Sequence, residues 1–365
     1  MSGLHIAYLH IKHFKCFDSF SLKDIRRVNL IGGKNNVGKT SLLEAIEIVT
    51  SASTPKTLLY QVSKMLYRRQ GSHDSRAGIE EIDFLHSAAK ASEFVTNSKK
   101  CQILLLGKRS KYKYEQKGLF DNNRNYLEND DDEEISISDL LFSVDDEEVI
   151  VPANYLIRRK PGIAIPLRND SRNNPPINFV ESKKINDSDL AILYGYLVDL
   201  NREDFINESL SVFDKNIIAI KQRATKRGIV LKLQLKNKTS PVLLSSLGEG
   251  VNRYIAILCA IWASKDGILL IDEIENGIHY SNYKNLWKII HQASIEANCQ
   301  LFITSHSKEC IEDFEKSLLE VDTPYIQGIY YEMYRNVKKD IISVSARDYE
   351  QLNYTLTHGG NFRGE

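Results

Sequence analysis

Gly33, Gly38, Lys39 and Thr40 stand at the spacing Gly-x-x-x-x-Gly-Lys-Thr, inside the run Gly33-Lys34-Asn35-Asn36-Val37-Gly38-Lys39-Thr40-Ser41. Glycines at the two ends permit backbone angles that a side chain would forbid, so successive N–H groups can turn inward around a phosphate. Lys39 then reaches the β- and γ-phosphates, and the Thr40 hydroxyl takes one position on Mg²⁺. Lys34, Asn35, Asn36 and Ser41 complete the same cradle, and the chemistry is nucleotide binding. Asp272 and Glu273 follow the apolar run Ile268 to Ile271. An Asp at a strand tip can hold the Mg²⁺ shell, while the adjacent Glu polarises a water for in-line attack on the γ-phosphate. His306 follows a second apolar run, "QLFITS", and is placed to sense the γ-phosphate. Ser246, Gly248 and Glu249 lie in a small-residue turn before the apolar helix Val251 to Trp262, a second helix N-terminus suited to an anion.

Strands that end and helices that begin at one place must position these residues. "VNLI" (Val28 to Ile31) predicts a short buried strand ahead of the loop, and "SLLEAIEIV" carries apolar residues at helical spacing behind it. "LHIAYLHIKHFKCF" alternates and predicts a strand pair before the nucleotide strand. In the middle region, residues to about Lys99 read as helical or irregular, whereas "CQILLLGKRSKYKYEQ" and "EISISDLLFSV" read as strands. Glu128 to Glu148 holds eleven acidic side chains and no basic one, a solvated loop face, with a cation site or a DNA-mimicking surface as alternatives. "IRRKPGIAIPLRNDSRNNPP" reads as a surface loop whose Arg158, Arg159, Lys160, Arg168 and Arg172 could instead contact phosphates. Asp187 to Phe213 predicts two packed helices, and "NIIAIKQRATKRGIVLKLQL" a strand pair turning at Arg227-Gly228. "IQGIYYEMYR" and "KDIISVSA" add two strands near the C-terminal end. No repeat or heptad run predicts a long coiled coil.

The chain has 365 residues, enough for one elaborate domain or two joined ones. Lysine plus arginine and aspartate plus glutamate both number 48, so a nucleic-acid contact would have to come from a local patch. The five cysteines show no Cys-x-x-Cys pair or metal-type spacing and read as reduced thiols. With no signal-peptide core and no bilayer-length apolar segment, the expectation is a cytoplasmic protein without a membrane partner.

The order phosphate loop, small-residue signature, Asp-Glu strand and histidine strand resembles the ABC-type ATPases, and among them the soluble RecF-like and OLD-family (overcoming lysogenization defect) ATPases. The resemblance rests on "LHIKHFKCFDSFSLKDIRRVNLIGGKNNVGKTSLLEAI", "LGEGVNRYIAIL", "LLIDEIENGIHYS" and "FITSHS". It implies an α/β fold: an ABC-ATPase head with a P-loop mixed sheet, an antiparallel β subdomain and a helical insertion. The head would be split between residues 1–50 and 241–365, around a β and helical region, 51–240, that faces a partner or DNA. ATP and Mg²⁺ are the implied cofactors. The resemblance further implies a head-to-tail dimer or higher homo-oligomer, with Ser246, Gly248 and Glu249 of one subunit completing the site of the other and Asn276 to His279 at the seam. A Q-loop cannot be placed. The family's frequent C-terminal nuclease module is expected to have no counterpart in the about 60 residues after His306. The expected role is an ATPase controlling a separately encoded effector, a nuclease, in an antiviral defence complex, with DNA as an open partner. A DNA repair ATPase and the nucleotide-binding subunit of a transporter are the alternatives, although "ENGIH" and "LGEG" differ from the transporter forms.

Overall fold

Val28–Gly33 forms β3, the strand leading into the phosphate loop, and only Asn29 interrupts its apolar run. Such a run suits a strand covered on both faces. A computed structural model describes residues 4–70, 91–108, 138–152, 175–226, 228–320, 327–336 and 338–358 of the chain. Arg158, Arg159, Lys160, Arg168 and Arg172, the acidic residues 128–137, Arg227 and the segment 359–365 lie outside the described residues.

The central sheet has the order β15-β14-β3-β13-β12-β8, where β8 is Ile177–Val180, β12 Ile268–Ile271, β13 Gln300–Thr304, β14 Gly328–Asn336 and β15 Ile341–Arg347. All neighbours run parallel except β15, which pairs antiparallel with β14. Alternate residues of the inner strands enter different cores. Leu269, Ile271, Leu301 and Ile303 join one apolar cluster, while Ile268, Leu270 and Phe302 join the other. Both faces are therefore covered, as a parallel sheet requires.

The second cluster is roofed by an antiparallel sheet of order β2-β1-β4-β5-β6-β7. Its strands are β1 Leu9–Phe14, β2 Phe17–Leu22, β4 Ser92–Thr96, β5 Lys100–Lys108, β6 Ser138–Val144 and β7 Glu147–Pro152. Sandwiched there is α1 (Lys39–Ser51), whose buried Glu44 and Glu47 are held by ion pairs. Glu44 pairs with Lys15 and with Arg69 at 2.8 Å, and Glu47 with Arg68 at 2.7 Å and Lys64 at 3.2 Å. These bonds lock α1 to α2 (Pro55–Gln70) and to the turn between β1 and β2.

The other cluster is packed by α3 (Asp187–Asp199), α4 (Glu203–Phe213), α5 (Glu249–Ala263), α6 (Tyr283–Glu296), α7 (Lys308–Leu318) and α8 (Tyr349–Thr357). A three-stranded sheet, β11-β10-β9, completes that side, with β9 Ile217–Thr225, β10 Gly228–Leu235 and β11 Val242–Leu243. The molecule is thus α/β: a mixed sheet carrying the phosphate loop, an antiparallel β subdomain and helical additions. Residues 51–240 pair directly with both ends of the chain, since β4 pairs with β1 and β8 with β12. No described helix is long and apolar enough to cross a membrane.

Candidate functional site

The registers Ile31↔Thr304 and Ile271↔Ile303 bring the carboxyl ends of β3, β13 and β12 to one edge. Three loops therefore start side by side: Gly33–Gly38, Ser305–His306 and Asp272–Glu273. In the first, Gly33 has φ +136° and a Cβ there would lie 2.2 Å from the Met333 carbonyl oxygen. Gly38 has φ +86° and would put a Cβ 2.4 Å from Cys16 Sγ. Both positions need glycine for conformation and for space. Gly38 is also the N-cap of α1, whose first turn carries no acidic side chain, so its positive dipole end is left for an anion.

Lys39 Nζ donates to the carbonyl oxygens of Gly33 (2.7 Å) and Lys34 (2.9 Å), which points the ammonium into the loop. Burial pulls its pKa down, against the carboxylates of Glu275, Glu273 and Asp272. Lys34, Asn35 and Asn36 form the exposed rim, and Ser41 is buried in the first turn of α1.

A continuous hydrogen-bonded chain joins the loop to the acidic strand tip. Thr40 Oγ1 donates to the Asp272 carboxylate at 3.1 Å, and Thr304 Oγ1 donates to the same carboxylate at 2.7 Å. The Glu273 N–H in turn donates to Thr304 Oγ1 at 2.8 Å. Burial pushes the Asp272 carboxyl up, while the hydroxyls of Thr304 and Thr40 pull it back. A hydroxyl and a carboxylate oxygen in contact are hard donors that fit Mg²⁺, which takes few protein ligands and keeps several waters.

Glu273 sits at φ +51°, a left-handed turn that costs a non-glycine residue about 1 kcal/mol or more. Arg253 of α5 pins this turn by donating to the carbonyls of Asp272 (2.6 Å), Glu273 (3.2 Å) and Glu181. Asn276 Nδ2 donates to Glu273 Oε2 at 2.7 Å and holds that carboxylate at the mouth of the site.

His306 is oriented by a residue that sequence reasoning missed. Glu275, 7% exposed, accepts from the His306 ring Nδ1 at 3.0 Å, the His306 N–H at 2.6 Å and the Ser307 N–H at 3.2 Å. The hydrogen bond that the His306 ring donates to Glu275 raises the His306 pKa despite partial burial. Burial alone would raise the Glu275 carboxyl, but the His306 ring and backbone donors hold it below the usual range. The signal available in the sequence was the third acid in Asp272-Glu273-Ile274-Glu275, just beyond the strand tip.

The structure therefore gathers Gly33, Lys34, Lys39, Thr40, Asp272, Glu273 and His306 into one site. Ser246, Gly248 and Glu249 are exposed at the start of α5 and make no hydrogen bond to the loop. Glu249 stands in the first turn of α5, so that dipole is partly complemented within the chain. Their structural neighbour is the turn at Gly277: a Cβ on Gly250 would lie 2.4 Å from the Gly277 carbonyl oxygen.

Over residues 28–312 the chain matches the family described as "AAA domain, putative AbiEii toxin, Type IV TA system". An "ATP/GTP phosphatase" of Helicobacter pylori is 27% identical, over 98% of this chain and 100% of that protein. The DNA replication and repair protein RecF of Bifidobacterium longum subsp. infantis is 33% identical over only 54 residues, 15% of this chain and 13% of that protein. The structure of an Smc head bound to the C-winged helix domain of ScpA superposes with a TM-score of 0.51 at 10% identity, over 96% of this chain and 100% of that one. At that identity the likeness is one of fold.

Proposed function

The chain belongs to this AAA-domain family and is an ATPase of the AAA/ABC type, and from that premise we propose that it is a Mg²⁺-dependent, RecF/OLD-type enzyme working as a head-to-tail dimer that controls a separate effector. The observation that carries the reading is the unbroken chain Thr40–Asp272–Thr304–Glu273, which ties the phosphate loop to the acidic strand tip.

Lys39 leaves the Gly33 and Lys34 carbonyls for the β- and γ-phosphates, while the backbone of residues 34–38 and the start of α1 neutralise the remaining charge. Thr40 and Asp272 would hold Mg²⁺, and the chemistry it would supply there is neutralisation of phosphate charge. Glu273, steadied by Asn276, orients the attacking water and takes its proton. His306, with Nδ1 committed to Glu275, turns Nε2 toward the γ-phosphate. Ser246, Gly248 and Glu249 close the site of the opposite subunit, with Asn276 to His279 at the seam. What supports this arrangement is their exposure and their lack of hydrogen bonds to the loop of their own chain. A separately encoded effector, a nuclease in an antiviral defence complex, reads the opening and closing of the dimer. The family's description as part of a "Type IV TA system" supports a role alongside another gene product.

The test is Glu273→Gln. The amide cannot take the water's proton, so turnover falls by about 10²–10⁴-fold while Mg·ATP still binds. Lys39→Ala instead weakens ATP binding itself. Wild-type turnover in Glu273→Gln removes Glu273 from its role.

A further inference from the structure

Between Lys215 and Lys238 the chain carries eight Lys or Arg residues and no Asp or Glu, although its overall charge is zero. This segment is the β9–β10 ribbon. Its inner face is anchored by Ile220, Leu231 and Leu233, which are buried in the helical core. Lys221, Arg223 and Lys226, together with Lys236 and Lys238 at the foot of the ribbon, are exposed, and Lys232 is half-buried. None of these six side chains has a carboxylate partner among the described residues.

The register makes this costly for folding alone. Lys221 lies directly opposite Lys232, and like charges at that spacing repel. A surface chosen only for solubility would place an acid at one of the two positions.

The shape is equally specific. β11 pairs with β10 only at Lys232 and Leu233, so beyond Leu231 the sheet continues as two strands. Gln222 to Thr225 are all exposed, and beyond the buried Leu231, the partner of Gln222, Arg223 to Thr225 pair with Gly228 to Val230 outside the core. Two strands about 5 Å apart, with side chains, span roughly 10 Å. That is narrower than the roughly 12 Å major groove of B-form DNA, which admits a two-stranded β-ribbon. Three residues at about 3.4 Å each reach about 10 Å, comparable with the groove depth of about 8.5 Å.

We propose that the β9–β10 ribbon is a docking surface for duplex DNA, its exposed strands lying in the major groove while Lys221, Arg223 and Lys232 bind the flanking phosphates.

The experiment measures fluorescence anisotropy of a short labelled DNA duplex over a salt series, without nucleotide. Wild-type and Lys39→Ala proteins are expected to bind alike, with the logarithm of affinity falling against the logarithm of salt at about 0.9 per phosphate contacted. Lys221→Glu combined with Arg223→Glu is expected to weaken binding by more than about tenfold and to lower that slope by about 2. The reversed charge at Lys221 faces Lys232 attractively, so thermal stability should hold or rise, which separates lost binding from lost folding. Lys221→Gln with Arg223→Gln supplies a milder second variant, and Lys265→Glu, at the far end of α5, a control that binds as wild type. Binding unaffected by the ribbon variants overturns the proposal, as does equal binding to polyglutamate, which would make the partner an acidic protein. If ATP turnover fails while duplex binding persists, the ATPase reading falls and the ribbon assignment stands.

Discussion

Glu275→Gln changes one atom type and tests how the His306 switch is built. Three donors converge on Glu275 Oε1: the His306 ring at 3.0 Å, the His306 N–H at 2.6 Å and the Ser307 N–H at 3.2 Å. A hydrogen bond to a charged acceptor contributes about 1.5–3 kcal/mol and one to a neutral acceptor about 0.5–1.5 kcal/mol. Replacing carboxylate by amide thus removes about 1 kcal/mol per bond. The His306 side chain is 44% exposed, so water screens its share, and about 2 kcal/mol of stability is the expected loss. The catalytic consequence follows from the proton count on the ring. With Nδ1–H given to Glu275, Nε2 can donate to a phosphate only when the ring is protonated. The Glu275 hydrogen bond raises the His306 pKa, so the donor form persists to higher pH than an ordinary histidine would allow. In Glu275→Gln the alkaline limb of kcat should therefore move to lower pH, and kcat near neutrality should fall by about 10–100-fold with little change in KM.

The stability difference between wild type and Glu275→Gln has its own pH signature. His306, raised in the fold, contributes stability that is fully present below its ordinary value of 6.5 and is lost as pH rises through the folded value. Glu275, lowered in the fold, contributes stability that is present above its ordinary value of 4.5 and is lost as pH falls through the folded value. The difference should peak between these two values. Hydrolysis measured across pH with saturating Mg·ATP, beside thermal melts in the same buffers, reads both effects. An alkaline limb that stays in place with kcat unchanged would refute the assignment of Glu275 to His306.

Mixing Lys39→Ala subunits with Ser246→Arg subunits should restore about one working site per mixed dimer, because both lesions then fall in the other site. No recovery in confirmed mixed dimers, with one intact site known to suffice, would mean that the signature does not act across subunits. Two neighbouring glycines should part company. Gly250→Ala brings a Cβ to 2.4 Å from the Gly277 carbonyl oxygen and should lower stability by about 1–3 kcal/mol, whereas Gly248→Ala meets nothing within 4 Å and should melt like wild type yet turn over more slowly. A lower melting temperature in Gly248→Ala, or none in Gly250→Ala, would contradict the packing at the start of α5.

Most elements that carry the site were legible because each is a long or sharply bounded apolar run. β3, β12 and β13 read as buried strands, α1 and α5 as apolar helices after glycine-rich turns, and the hairpin at residue 228 as a strand pair. β8 was not legible. Ile177–Val180 is four residues long, too short for a period to register, and it follows an Asn/Pro-rich stretch that reads as loop. It is nevertheless the edge of the central sheet beside β12, and the Asp272 N–H donates to the Val180 carbonyl at 2.9 Å. β4, five residues with an alternating burial pattern, lay in a stretch read as helical or irregular. It is held between β5, its neighbour in the chain, and β1, a partner distant in sequence that no local pattern reveals. Glu275 was hidden for another reason: three acids in four residues look alike until the backbone turns.

That turn makes residues 272–278 a single working part. Asp272 faces Thr40 and Thr304, and the left-handed Glu273 reverses the chain so that Glu275 folds back under His306. Asn276 then returns to the Glu273 carboxylate, and Gly277, at φ +73°, brings its carbonyl against Gly250 at the head of the signature helix. The residues proposed as metal ligand, general base, γ-phosphate sensor and signature thus meet within one short run of backbone. Arg253, reaching from α5 to the carbonyls of Asp272 and Glu273, clamps that run from the signature side. In the proposed role, a shift of His306 on loss of the γ-phosphate would pull on Glu275, and Arg253 with the close approach of Gly250 to Gly277 joins that turn to the start of α5.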